Sequence, residues 1–148
     1  MKKLLSLILF TATLYGAVDE IEARLKGQCK TNDIACLELA KHYYFKTDMA
    51  NALKVAQTLC KKDNSNGCEV AFFSAQELRH SNRYDYVVKG CDKLKSGYSC
   101  RIIASRYIDL GDDNNALKYF KRGCKYGDNE SCLAYKNRTG QDIRESLK

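Results

Sequence analysis

Eight cysteines in 148 residues are the side chains of this protein with the widest chemical reach. Thiolates bind zinc, exchange electrons or close disulfides, and spacing and compartment separate the three. They fall into four close pairs: Cys29 and Cys36, Cys60 and Cys68, Cys91 and Cys100, Cys124 and Cys132. No C-x-x-C occurs, so neither a zinc knuckle nor a thioredoxin-like redox motif can be written, and only His42 and His80 could add imidazole ligands. No metal and no cofactor are expected. Other nucleophile arrangements are missing too. His42 has no serine or cysteine at a telling spacing, no glycine-rich phosphate loop occurs, and Ser74, Ser81 and Ser105 are followed three residues on by Glu77, Tyr84 and Ile108 rather than by the lysine of S-x-x-K. No catalytic residue is assigned.

The start of the chain sets the expected compartment. Met1-Lys2-Lys3 is basic, Leu4 to Val18 is uncharged, and small Gly16 and Ala17 precede Asp19 and Glu20. That is the order of a signal peptide, with cleavage expected after Gly16 or Ala17. The uncharged stretch is shorter than the roughly 20 residues of a membrane-spanning helix, so no stable membrane insertion is expected after cleavage. The reading is residues 1–17 as signal peptide and 18–148 as one domain, periplasmic or secreted, where cysteine pairs become disulfides.

Composition narrows the class. With 45% apolar and 29% charged residues and no proline, the chain is globular and favours helices, and disordered or polytopic membrane classes are excluded. Formal charge is +7, and residues 83–126 hold ten Lys or Arg against five Asp or Glu. Such a basic stretch draws acidic partners or is a solvated helix surface. A nucleic-acid partner is not expected after export.

The elements that position the cysteines follow from their period. The second member of each pair recurs every 32 residues, the mark of a repeat architecture. Counting from it, Cys36, Leu39, Ala40 and Tyr43 fall at i, i+3, i+4 and i+7, as do Cys68, Ala71, Phe72 and Ala75, and Cys100, Ile103, Ala104 and Tyr107. One face of each such helix is apolar. A second amphipathic helix precedes each first cysteine, as in Ala52 to Leu59 and Ala116 to Phe120. Helices are expected near 19–29, 36–46, 51–61, 68–79, 84–93, 100–109, 115–125 and 132–146. Polar turns join them at 62–67, 95–98 and 126–130, Asn114 or Asn115 caps the seventh, and the QDIRESLK end acts as a polar cap. About four helix pairs of 32 residues, each unable to bury its apolar face alone, stack into an all-α fold, a short right-handed α-solenoid.

Leu39-Ala40-x-x-Tyr43 followed by Ala52, and Ile103-Ala104-x-x-Tyr107 followed by Ala116 and Phe120, resemble the small-residue and aromatic positions of tetratricopeptide-type repeats. The block ALKYFKRGCKYGDNESC (116–132) is similar to the Sel-one-like repeat, and the paired cysteines resemble those of the Helicobacter cysteine-rich protein family. In that family seven residues separate the members of a pair, which bridges adjacent helices. Here Cys60/Cys68 and Cys124/Cys132 match, while the other two pairs have six and eight intervening residues. The repeats are also shorter, the glycine-rich loop within each repeat is missing, and Lys136 replaces a small residue in the fourth unit. Of the 105 pairings open to eight cysteines, the repeat makes the local one natural: 29 with 36, 60 with 68, 91 with 100, and 124 with 132.

The resemblance also implies a ligand surface. In tetratricopeptide-type stacks one helix of each unit lines a concave groove. Transferred by counting from the second cysteine, the groove positions are Leu37, Lys41, Tyr44, Phe45, Phe73, Gln76, Arg101, Ser105, Ile108 and Asn137. Aromatic and cationic groups there suit a protein or peptide ligand, acidic or peptidoglycan-related, although Tyr44, Phe45 and Phe73 could instead pack between repeats. The expected function is an exported binding module. The family resemblance offers weak penicillin binding or β-lactamase activity as an alternative, and a secreted factor acting on host cells is a third reading.

Overall fold

The computed structural model describes residues 20–144, so the expected signal peptide and the last four residues lie outside the described chain. Eight helices occur among the described residues: α1 (20–28), α2 (Asp33–Phe45), α3 (Met49–Lys61), α4 (Ser65–Glu77), α5 (Arg83–Asp92), α6 (Gly97–Asp109), α7 (Asp113–Lys125) and α8 (Asn129–Thr139). Each packs on its neighbour in sequence, and α2 also meets α4 as α6 meets α8. The chain is a short helical solenoid.

The second helix of every pair begins three residues earlier than the apolar pattern implied, because its start is set by a cap. Asn32, Asn64, Ser96 and Asp128, spaced 32 apart, each accept a hydrogen bond from a backbone amide of the first turn, such as Gly67 N to Asn64 Oδ1 at 2.9 Å and Ser131 N to Asp128 Oδ2 at 2.8 Å. The turns within pairs are therefore shorter than expected, and Gly67 and Gly97 belong to helices. Asp112, and neither Asn114 nor Asn115, caps α7, taking the Asn115 amide at 3.1 Å. At the other end α8 stops at Thr139 rather than near 146, since Gly140 takes a left-handed conformation (φ 73°). The tail then turns back, and Ile143 is buried against Cys124 and Cys132.

All four local disulfides are closed, with Cα–Cα distances of 4.3, 4.4, 4.7 and 4.5 Å in chain order, and no described cysteine is free. Each ties the end of the first helix of a pair to the first turn of the second. In three of the four pairs a glycine before one cysteine permits that approach: a Cβ on Gly67 would lie 2.4 Å from Leu59 Cβ, one on Gly90 2.3 Å from Ser99 Oγ, and one on Gly123 2.3 Å from Ser131 Oγ. The core between pairs is thin and made of small residues, with Ala40, Ala56, Ala71 and Ala75 fully buried in one cluster, while Cys91 and Cys100 themselves sit in another with Phe72, Val87 and Ile103.

Polar ties fix the register between successive repeats. Glu69 accepts from the Ser96 hydroxyl at 2.8 Å, and Gln57 donates to the Tyr86 hydroxyl at 2.5 Å. Ion pairs join Lys62 to Asp33, Lys89 and Lys93 to Asp63, and Arg122 to Asp92. Each has at least one exposed partner and is individually weak, but they recur at offsets of 26 to 30 residues and so disfavour a slipped stack.

Candidate binding surface

Helices α2, α4 and α6 present an open wall with two hollows. The first, of about 280 Å³, is lined by Lys41, Tyr44 and Phe45 of α2 and by Val70 and Phe73 of α4. Phe45 is 81% exposed at the end of its helix, an unusual exposure for a phenylalanine. Lys41 reaches Glu38 at 3.4 Å, so its charge points along its own helix and its stem faces the hollow.

The second hollow, of about 240 Å³, begins on the far side of Phe73 and runs over Gln76 to Arg101, Ser105, Arg106 and Asp109 of α6, with Tyr84 of α5 at its edge. Its rings are braced against one another: Phe73 lies 5.1 Å from Phe72 and 6.3 Å from Tyr98, and Phe72 lies 5.5 Å from Tyr84. Burial pushes the Tyr98 phenol up, so it stays a neutral donor at ordinary pH. Arg101 covers the Tyr98 ring at 4.7 Å but spends its charge on Asp128 at 3.0 Å and Glu130 at 2.7 Å.

Seven of the ten positions transferred from the repeat pattern therefore line the hollows: Lys41, Tyr44, Phe45, Phe73, Gln76, Arg101 and Ser105. The other three do not. Leu37 is buried against Cys36 and Leu59, because the position after the second cysteine turns into the disulfide cluster in the first repeat. Ile108 packs on the Ala104, Ala116 and Phe120 cluster, and Asn137 is exposed on α8 away from both hollows. Counting along one helix face missed Val70, Ile102 and Arg106, which stand one residue further round, and Tyr84, which comes from the other helix of its pair. The helical wheel of α6 would have placed Arg106 beside Ile102, but nothing in the period of the cysteines points to α5.

The histidines stand apart from both hollows. His42 Nε2 is 3.6 Å from Glu22 Oε2, just beyond hydrogen-bond length, in a cluster where Glu22 also meets Lys26, Lys46 and the Tyr43 hydroxyl. His80 lies exposed in the α4–α5 connection. Among the described residues no group of three or more His, Cys, Asp or Glu is placed to hold a metal ion, and no helix is long and apolar enough to cross a membrane. Four closed cysteine pairs are the chemistry of an oxidising compartment. No protein-family model, curated protein or solved structure matches the chain.

Proposed function

We propose that the protein is an exported binding module that holds an extended peptide along the α2, α4 and α6 wall, and that it belongs with the Sel-one-like repeats of the Helicobacter cysteine-rich family. The observation that carries this reading is the pair of hollows sharing Phe73, one almost wholly apolar and one mixed polar and apolar, on successive repeats of a stapled scaffold. An extended chain places alternate side chains into successive pockets, and a scaffold locked by disulfides loses little entropy on binding it. The apolar lining of the first hollow favours a side chain such as leucine or phenylalanine over a sugar, which needs polar partners on every edge.

Panning the oxidised mature protein against a random dodecapeptide phage library tests the proposal. Enriched clones are expected to share an apolar residue, and Phe45→Ser should abolish enrichment while leaving the helical circular dichroism and the melting temperature in place, because Phe45 is already exposed. No enrichment above an albumin surface would overturn it. Export is tested by intact mass: a chain beginning at Ala17 or Val18 supports it, and the full 148 residues would not.

A further inference from the structure

We infer that the second hollow selects an acidic side chain, received by Arg106 of its lining together with Arg83, which shares the Tyr84 ring with it just outside that lining. The inference rests on the peptide-binding proposal and adds the chemistry of the ligand. Arg83, the first residue of α5, holds its guanidinium 5.0 Å from the centre of the Tyr84 ring, and Arg106 of α6 holds its own at 5.5 Å from the same centre. Both side chains are half-buried. Arg101, Arg122 and Arg144 all have carboxylate partners, yet neither Arg83 nor Arg106 forms an ion pair with any described residue. Arg83 donates to the His80 carbonyl at 3.0 Å, a neutral acceptor.

Two guanidinium groups gathered on one ring repel each other, and the ring face offsets this only in part. A carboxylate arriving beside them meets forks of donors and relieves that repulsion. The nearby acids do not already do so. Asp109 lines the same hollow without pairing to Arg106, and Asp85, two residues after Arg83, lines a different hollow with Lys61 and Lys89. Without Lys2 and Lys3 of the expected signal peptide the net charge falls from +7 to +5, still enough to bring acidic ligands toward the exported protein.

Phe73 lines both hollows, so the acid and the apolar side chain stand on either side of it along an extended ligand.

The same phage panning separates this inference from the one beneath it. The expected consensus is an apolar residue with Asp or Glu at a fixed spacing from it, and a synthetic consensus peptide should bind about tenfold more tightly than its Gln or Asn counterpart by fluorescence anisotropy. Arg83→Gln and Arg106→Gln should each shrink that ratio while leaving the affinity for the amide peptide unchanged, and Arg106→Glu should shift the selected residue to Lys or Arg. A consensus that keeps the apolar residue and lacks the acid would overturn this inference and leave the binding module standing. An acidic consensus indifferent to both arginine positions would do the same. No consensus at all would remove both, and Arg106-dependent capture of anionic phospholipid vesicles in its place would assign the site to a membrane surface instead.

Discussion

Arg101 Nε donates to Asp128 Oδ2 at 3.0 Å across the boundary between the third and fourth repeats, and Asp128 is at the same time the N-cap of α8. One carboxylate thus accepts from the cap amide, from the Ser131 hydroxyl at 2.6 Å and from the preceding repeat's guanidinium. Arg101 lines the second hollow, but its guanidinium is committed to holding α8 on the stack. Arg101→Ala should therefore destabilise the fold by about 1 kcal/mol, with Asp128→Ala costing about 1 to 2 kcal/mol because a cap is lost as well. A double-mutant cycle by urea denaturation should show that the two losses are not additive. Strict additivity would mean that the pair is an idle surface contact.

The close crossings beside the disulfides give a second expectation. A methyl on Gly123 would press on Ser131 Oγ and Cβ, and Ser131 cannot turn away without releasing its bond to Asp128. Gly123→Ala should cost about 1 to 3 kcal/mol. Gly27 lies in α1 with nothing within 4 Å of the same added atom, so Gly27→Ala should be neutral or stabilising by up to about 1 kcal/mol. Equal midpoints for the two variants in urea would contradict the packing described.

These crossings also show where the sequence was readable and where it was not. The 32-residue period exposed the repeat, the helix faces and the cysteine partners, because each depends on spacing alone. Helix starts escaped because Asn32, Asn64, Ser96 and Asp128 sit inside polar runs, where a cap and a turn residue look alike. Gly67 and Gly97 read as turn glycines, although their function is to let helices touch. Within the candidate site, Lys41, Tyr44, Phe45 and Phe73 were reachable from the repeat, whereas the Arg83, Tyr84 and Arg106 cluster forms only when α5 packs against α6.

The disulfides should not be equivalent. Cys91 and Cys100 are both fully buried in the middle of the stack, in contact with residues from two repeats, while Cys29 is only half-buried at its end. Replacing Cys91 and Cys100 together by alanine should remove about 2 to 4 kcal/mol and loosen the whole molecule. Replacing Cys29 and Cys36 should free α1 and leave the later repeats protected from hydrogen exchange. A larger global loss from the terminal pair would argue against a repeat stack with nearest-neighbour coupling.

Acid should act first on α1. Hydrogen bonds from Lys26 within α1 and then from Lys46 hold the Glu22 carboxyl down from 4.5 to about 2, and those from Lys46 and the Tyr43 hydroxyl tie α1 to α2. A carboxylate depressed on folding contributes stability above its unfolded value and loses it as pH falls through the folded one, so this tie weakens between about 4.5 and 2. The lysines are largely exposed and salt should weaken the tie further. Amide protection factors in 20–28 should drop between pH 5 and pH 2.5 in the parent protein and be low at both in Glu22→Gln. Unchanged protection across that range would show that Glu22 does not dock the helix.

The family resemblance raises β-lactam hydrolysis, and the wall allows a sharp expectation. A serine enzyme needs a lysine one helical turn from its nucleophile to take up the proton. Ser105 is exposed at the second hollow, but the residue one turn on is Ile108, half-buried in the apolar cluster behind it, and Ser74 is fully buried with no bonding partner. A zinc enzyme needs three clustered ligands, and here the thiols are committed to disulfides while His42 stands in the last turn of α2 and His80 in the α4–α5 connection. The aromatic walls with Arg106 could still hold the ring and carboxylate of a β-lactam without activating any attack on it. Oxidised protein mixed with a chromogenic cephalosporin should therefore show weak, competable binding and slow colour development that Ser105→Ala leaves unchanged. Turnover that persists in chelator and disappears in Ser105→Ala would establish a catalytic serine.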